Sequence, residues 1–371
     1  MKIDKSSRQD SDHPCSMGIK KYYHRKICTY GFIVVLVSVW WTLCAHAGQI
    51  TDMAGQKVGV PDEIHTVYGT SPPVTSLLYA VAPELVAGLN FPIRKMEKQY
   101  LPARLQSLPV VGGWFGQGRT PNLETLLQVN PDVILAWHIK DSLITRKTED
   151  TLVPLGFPVI RISLDRLEDY PETFRFLGCL LHREERAALF AEYAERTLDK
   201  IRAVQGAMAE PDKVSVYYAE GVDGLSTECN TSIHAELIPM CGGKNVHICP
   251  VQTTYGMEKV SLEQVMHYAP EVIITSEHLF YDAVFHDPRW QNIPAVQNHR
   301  VYKIPTAPFN WFDRPPSFMR LLGARWLLNK LYPGKYSIDI VEETRRFYSL
   351  FLNFSLDRQA AEELLEGMTK K

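Results

Sequence analysis

Two arginines, Arg119 and Arg314, stand among aromatic and small polar residues in segments rich in Gly and Pro. A guanidinium in that setting suits carboxylate, catecholate or oxyanion groups, because its planar fork meets two oxygens at once. The segments are Tyr68-Gly69-Thr70-Ser71-Pro72-Pro73, Asn90-Phe91-Pro92, the Gly-rich run from Gly112 to Arg119, Trp137-His138, Thr227 to His234, Tyr255, and Asn310-Trp311-Phe312-Asp313-Arg314-Pro315-Pro316. From them we take Tyr68, Thr70, Ser71, Trp114, Arg119, Trp137, His138, Thr227, His234, Tyr255, Trp311, Phe312 and Arg314 as candidate ligand-binding residues. Any one aromatic can instead pack beneath its loop, and either arginine can pair with a neighbouring carboxylate. Three separate loops that each offer a Trp argue for a shared cleft.

No catalytic set accompanies them. The chain has no G-x-S-x-G, no H-E-x-x-H and no C-x-x-C, so nothing proposes a nucleophile with its base. The run Gly112 to Gly118 lacks the Lys-Ser/Thr of a phosphate loop. Cys241, His247 and Cys249 are three soft ligands without a fourth at a recognised spacing; Gly242-Gly243 followed by Asn245-Val246 reads as a helix stop and then a strand. The expectation is a binding protein rather than an enzyme, without a cofactor and with no metal ligands assigned.

The elements that must carry these loops show an internal duplication. Asn122-Leu123-Glu124, six residues, then Pro131-Asp132-Val133-Ile134-Leu135 is matched by Ser261-Leu262-Glu263, six residues, then Pro270-Glu271-Val272-Ile273-Ile274. In each, Asn or Ser caps a two-turn helix, Pro forbids its continuation, and a β-branched strand follows. Strand-like runs at 65–68, 86–89, 110–111, 133–136 and 159–162 in the first half, and 214–218, 272–275 and 301–304 in the second, alternate with helical or loop stretches. That alternation predicts an α/β fold of two lobes with mainly parallel sheets, and ligands in such sheets bind beyond the carboxyl ends of strands. Between the halves, 183–209 carries apolar residues at helical spacing, which predicts one strut about 40 Å long. Residues 339–368 read as terminal helix.

The first 47 residues differ from the rest. Lys20, Lys21, Arg25 and Lys26 precede an apolar run from Ile27 to Cys44, and Ala45-His46-Ala47 follows. These are the parts of a secretory signal peptide cleaved after Ala47, with Met17 an alternative start to Met1; an uncleaved anchor is the rival reading. The expected organisation is a leader over 1–47, an N-terminal lobe over 48–182, the helix over 183–209 and a C-terminal lobe over 210–371. Cleavage takes away seven of the 40 Lys+Arg and three of the 42 Asp+Glu, leaving 33 against 39. An acidic exported chain argues against nucleic acid as a partner. An oxidising compartment permits a disulfide among Cys229, Cys241 and Cys249, with the pairing open.

With the duplicated unit in view, the chain resembles the helical-backbone class of periplasmic binding proteins that serve iron–siderophore, haem and vitamin B12 importers. The resemblance rests on Ile50-Thr51-Asp52-Met53-Ala54-Gly55, both Leu-Glu units with Pro131-Asp132 and Pro270-Glu271, and Asp287-Pro288-Arg289-Trp290, and it covers nearly all of 49–368. It implies two Rossmann-like lobes joined by one long rigid helix, with the ligand cleft between them, in a monomer. It also implies that Glu124 and Glu263 dock into arginine pockets of an ABC permease. The loop 311–316 looks most like members that carry iron complexes, so an iron–siderophore or related chelate is the first expectation. A nickel or cobalt chelate and a molybdate or tungstate oxyanion follow, and a chelate-processing enzyme is the rival from another class.

Overall fold

The computed structural model describes residues 48–115, 120–140, 142–251 and 256–366. The leader, Arg119 and Tyr255 lie outside the described residues.

A short antiparallel hairpin, β1 (Gly48–Thr51) with β2 (Lys57–Val60), opens the fold. Its turn is held by the Asp52 carboxylate, which accepts from the Ala54 and Gln56 amides at 3.0 and 2.8 Å. The first half then builds a parallel sheet in the order β3 (Val67–Gly69), β4 (Val133–Trp137), β5 (Val159–Ile162). The second builds another in the order β11 (Val301–Lys303), β10 (Val272–Thr275), β6 (Ser215–Ala219), β8 (Lys244–Asn245), with β7 (Ser226–Thr227) and β9 (Glu258–Lys259) as a small antiparallel pair beside it. Residues 133–136 and 272–275 are buried throughout, as expected of β-branched runs covered on both faces. The strands expected at 86–89 and 110–111 shrink to single parallel bridges, Val67 to Val86 and Leu89 to Val110. Pro109, which has no N–H to give, sets where the second of them begins.

Helices cover both sheets. In the first half these are α1 (Pro72–Val81), α2 (Leu123–Val129), α3 (Leu143–Leu152) and α4 (Tyr170–Leu181). Next comes α5 (Glu184–Gly206), 23 residues long, or roughly 35 Å. Glu184 and Glu185 in its first turn favour its dipole. The second half adds α6 (Leu237–Met240), α7 (Leu262–Tyr268), α8 (His278–Val284), α9 (Pro294–Gln297), α10 (Arg320–Leu331), α11 (Ile340–Leu352) and α12 (Arg358–Leu365). The terminal helix expected over 339–368 is thus two helices. Asn353 ends the first in the left-handed conformation, φ 50°, and Asp357 caps the second by accepting from the Ala360 amide at 2.7 Å.

The long helix is part of the core rather than a bare strut. Phe190 stacks on Phe351 with centroids 4.4 Å apart, and the Tyr193 hydroxyl donates to Glu343 at 2.6 Å. One apolar cluster runs from Val133 and Leu135 through Phe174, Phe190 and Phe351 to Val216 and Ile274, so both sheets share packing with α5. A hinge through such a core would have to open close-packed contacts.

Helix α10 presses its Gly323 against the backbone of Trp311; an added Cβ would fall 1.8 Å from the Trp311 carbonyl oxygen. Gly323→Ala is therefore expected to cost about 3 kcal/mol, the upper part of the range for overpacking. A chemical-denaturation midpoint equal to that of the parent would show that the helix can back away.

Cys229 and Cys249 form a disulfide with Cα atoms 5.1 Å apart. Cys241 is a buried thiol that donates to the Ala324 carbonyl at 3.4 Å.

Candidate functional site

The loops that follow the parallel strands build two facings, one on each half. On the first, the chain leaves β3 at Thr70 and Ser71. The Tyr68 hydroxyl donates to the Gly112 carbonyl at 2.7 Å, and the Asn90 amide donates to the Gly69 and Gly112 carbonyls at 2.9 and 2.7 Å. The Thr70 amide donates to Leu135, and the Trp114 amide donates back to Thr70. Gly113 lies so close that a Cβ would sit 2.4 Å from the Thr70 oxygen. Asn90 therefore stitches three loops into one surface. Ser71 caps α1, but Pro72 and Pro73 remove the first N–H groups a cap would satisfy, and its buried Oγ has no protein partner. At the end of β4, the Trp137 indole donates to Asp165 at 2.8 Å, and the half-buried His138 has an unpartnered Nδ1. Burial pushes the Asp165 carboxyl up. Phe91 and Phe115 meet at 4.7 Å, with the Phe115 ring close to Gly113.

The second facing is a charge cluster. Arg314 adopts a left-handed backbone, φ 51°. Its Nε donates to Glu220 at 2.5 Å, its Nη2 donates to Glu228, and the Asp313 carboxylate lies 3.6 Å away. All three carboxylates are buried, while Arg314 is half-buried. Asp313 also pairs with His234 at 2.7 Å. Glu228 accepts from Ser232 Oγ at 2.7 Å and from the Met257 amide at 2.9 Å. The Asn310 side chain turns the loop by accepting from the Phe312 and Asp313 amides. Burial, with Glu228 alongside, pushes the Glu220 carboxyl up to about 8 even though Arg314 opposes the shift. Burial works against the Arg314 charge, but the surrounding carboxylates win and hold it firmly protonated. Around this cluster the buried Tyr218 hydroxyl, Ser226 Oγ, Thr227 Oγ1 and Glu220 Oε2 have no protein partner. Orphaned polar atoms at such depth are costly unless something pairs with them.

The structure thus gathers Arg314 and His234 on one side, and Thr70, Ser71, Trp114, Trp137 and His138 on the other, while Tyr68 and Thr227 have no exposed surface and lie beneath the two facings. Trp311 and Phe312 point inward. Trp311 has no exposed surface and donates its indole N–H to Ala307 at 3.1 Å, and Phe312 packs edge-on to Tyr218 at 4.9 Å. Trp114 is also nearly enclosed. Of the three tryptophans only Trp137 keeps an appreciable open face. Sequence reasoning missed Asn90, Tyr218, Glu220, Ser226, Glu228 and Asp313. Position was the available signal: Glu220 follows a strand, Glu228 adjoins Thr227, and Asp313 adjoins Arg314. Glu124 and Glu263 are exposed in the first turns of α2 and α7. No described helix is long and apolar enough to cross a membrane.

A family model for periplasmic binding proteins matches residues 78–308. A solved ABC transporter solute binding protein from Sulfurospirillum deleyianum is 37% identical, covers 85% of this chain and 98% of its own, and superposes with a TM-score of 0.81. The vitamin B12-binding protein of Salmonella typhimurium is 26% identical over 263 residues, which is 70% of this chain and 88% of the relative. The molybdate-binding protein MolA of Haemophilus influenzae is 24% identical over 334 residues, 82% of this chain and 91% of the relative.

Proposed function

The chain belongs to the periplasmic binding protein family, and from that premise we propose that it is an exported carrier for an ABC importer, taking a metal complex into the cleft between its lobes. The observation that carries this reading is the pair of facings at the carboxyl ends of two parallel sheets, each holding buried polar atoms without partners. Phe91, Phe115 and Trp137 offer a surface for the organic rim of an iron–siderophore or related chelate, and Arg314, half-buried above its carboxylates, faces the polar part. Nickel and cobalt chelates fit the same description. Relatives named for vitamin B12 and for molybdate support a metal-containing cargo. An oxyanion finds Arg314 already shared among three carboxylates, which sets molybdate or tungstate behind a chelate. The role is that of a carrier, not an enzyme, with Glu124 and Glu263 as the contacts to the permease.

Elemental analysis of the mature protein isolated from its native compartment tests the reading. Iron, nickel or cobalt near one per chain is the expected result. Molybdenum or tungsten would make the site an oxyanion cage and return Arg314 to the ligand. A protein that carries no metal, and whose loss leaves metal uptake unchanged, would sink the proposal.

A further inference from the structure

Beside the second facing, Cys229, His247 and Cys249 bring two sulfurs and an imidazole nitrogen within 4.8 Å of one another. Joined as a disulfide, the sulfurs bind no cation, since the thiolate is the metal ligand. We propose that the Cys229–Cys249 disulfide is the closed form of a redox-gated metal site, which on reduction holds one zinc-class divalent cation through both thiolates and His247, with solvent as fourth ligand.

Three features argue that the frame outlasts the S–S bond. The Asn230 amide donates to the His247 carbonyl at 2.9 Å, and the Asn245 side chain donates to the Glu228 carbonyl at 3.0 Å. The His247 amide donates to Asn245 Oδ1 at 3.0 Å. These bonds tie 228–230 to 245–247 whether or not the sulfurs are joined. With the two Cα atoms 5.1 Å apart, side-chain rotation can spread the sulfurs to the roughly 3.8 Å that two 2.3 Å bonds at a tetrahedral ion require. The Tyr268 hydroxyl lies 2.8 Å from His247 Nδ1, which orients the ring and leaves one nitrogen for an ion.

Opening needs a dithiol reductant. Cys229 is buried, whereas Cys249 is half-buried between exposed Ile248 and Pro250, so a thiolate of the reductant reaches the Cys249 sulfur first. The S–S bond breaks and Cys229 leaves as thiolate. The second thiol of the reductant then attacks the mixed disulfide and releases Cys249. The reductant departs as a disulfide, having supplied two electrons, and its two protons pass to the new thiols until the cation displaces them.

The test uses the mature chain, reduced with dithiothreitol, desalted anaerobically and titrated with Co(II) and then Zn(II). One Co(II) per chain, showing thiolate-to-cobalt charge-transfer absorption and displaced by Zn(II), is expected only after reduction. His247→Gln should weaken Co(II) by about ten-fold or more, at least what losing a supporting group costs a metal site. The Cys229→Ser/Cys249→Ser pair should remove the absorption. Three results would overturn the proposal: no such band in the reduced parent, the same band in the double variant, or unchanged affinity in His247→Gln. Collapse of the circular dichroism on reduction would overturn it too, since the frame would then depend on the disulfide.

Discussion

Replacing Glu124 and Glu263 together by Ala is expected to abolish uptake while leaving solute affinity unchanged. The duplicated unit explains why these two carboxylates are free for a partner. Its other acid has a structural task in both copies. Asp132 accepts from the His65 and Thr66 amides at 2.8 and 2.9 Å, and its own amide donates to Thr66 Oγ1 at 3.0 Å. Glu271 accepts from the Ser215 amide at 2.8 Å and from Ser215 Oγ at 3.0 Å, and its own amide donates to Ser215 Oγ at 3.0 Å. The same exchange therefore fastens each unit to the neighbouring strand. The caps are matched as well, with Asn122 and Ser261 each accepting from a backbone amide at 3.1 Å. Both helices end in the left-handed region, at Asn130 and Ala269. Glu124 and Glu263 enter no ion pair among the described residues. Their surroundings are apolar and open: Leu123 and Leu127 flank the first, Met266 the second, and all three are exposed. If these carboxylates are desolvated against a partner's cations, truncating each is expected to cost about 2 kcal/mol, or roughly 30-fold. Transport assays and solute titrations on the single and double variants decide it. Uptake at parental rate in the double variant, or a loss of affinity in either single, would remove the docking role.

The same unit shows what a sequence can disclose. Cap, helix, Pro, acid and β-branched run fall within 14 residues, so local propensity and a hydrophobic pattern suffice to read them. The inter-lobe helix was legible for a like reason, and the break at Asn353 had its signal in Asn353 and Asp357, a left-handed stop and a cap four residues apart. The charge cluster was not legible. Arg314 meets Glu220 and Glu228 across 94 and 86 residues, and no local rule joins them. Nor does residue type tell which way a loop tryptophan faces. Trp311 turns inward because its indole N–H finds Ala307 and because Gly323 lets α10 close over it, both facts of tertiary packing. The disulfide partner of Cys249 is of the same kind, since it depends on how 229–249 closes as a loop.

The second large effect is expected at Arg314. Arg314→Ala leaves Glu220, Glu228 and Asp313 buried, with the His234 ring beside Asp313, and breaking a buried pair by removing one partner costs about 3–5 kcal/mol. The lower end applies, because Arg314 keeps some contact with solvent. The cost must depend on pH, and Glu220 fixes the sign. Its carboxyl sits at about 8 in the folded protein against an ordinary value of 4.5. Between those values the folded state holds a proton that the unfolded chain has released. This contribution to stability is fully present below about pH 4.5 and is lost as pH rises through about 8. The parent should therefore lose stability from about pH 5 to about pH 8 at this site, and Glu220→Gln, which keeps the shape without the charge, should flatten that slope. Arg314→Ala should carry the decline to still higher pH, since no guanidinium then offsets the desolvation of the Glu220 anion. Urea unfolding of the three proteins at both ends of the range tests the argument. Parallel slopes for parent and Glu220→Gln would mean that Glu220 does not carry the proton, and a cost below about 1 kcal/mol for Arg314→Ala would mean that water already reaches the three acids.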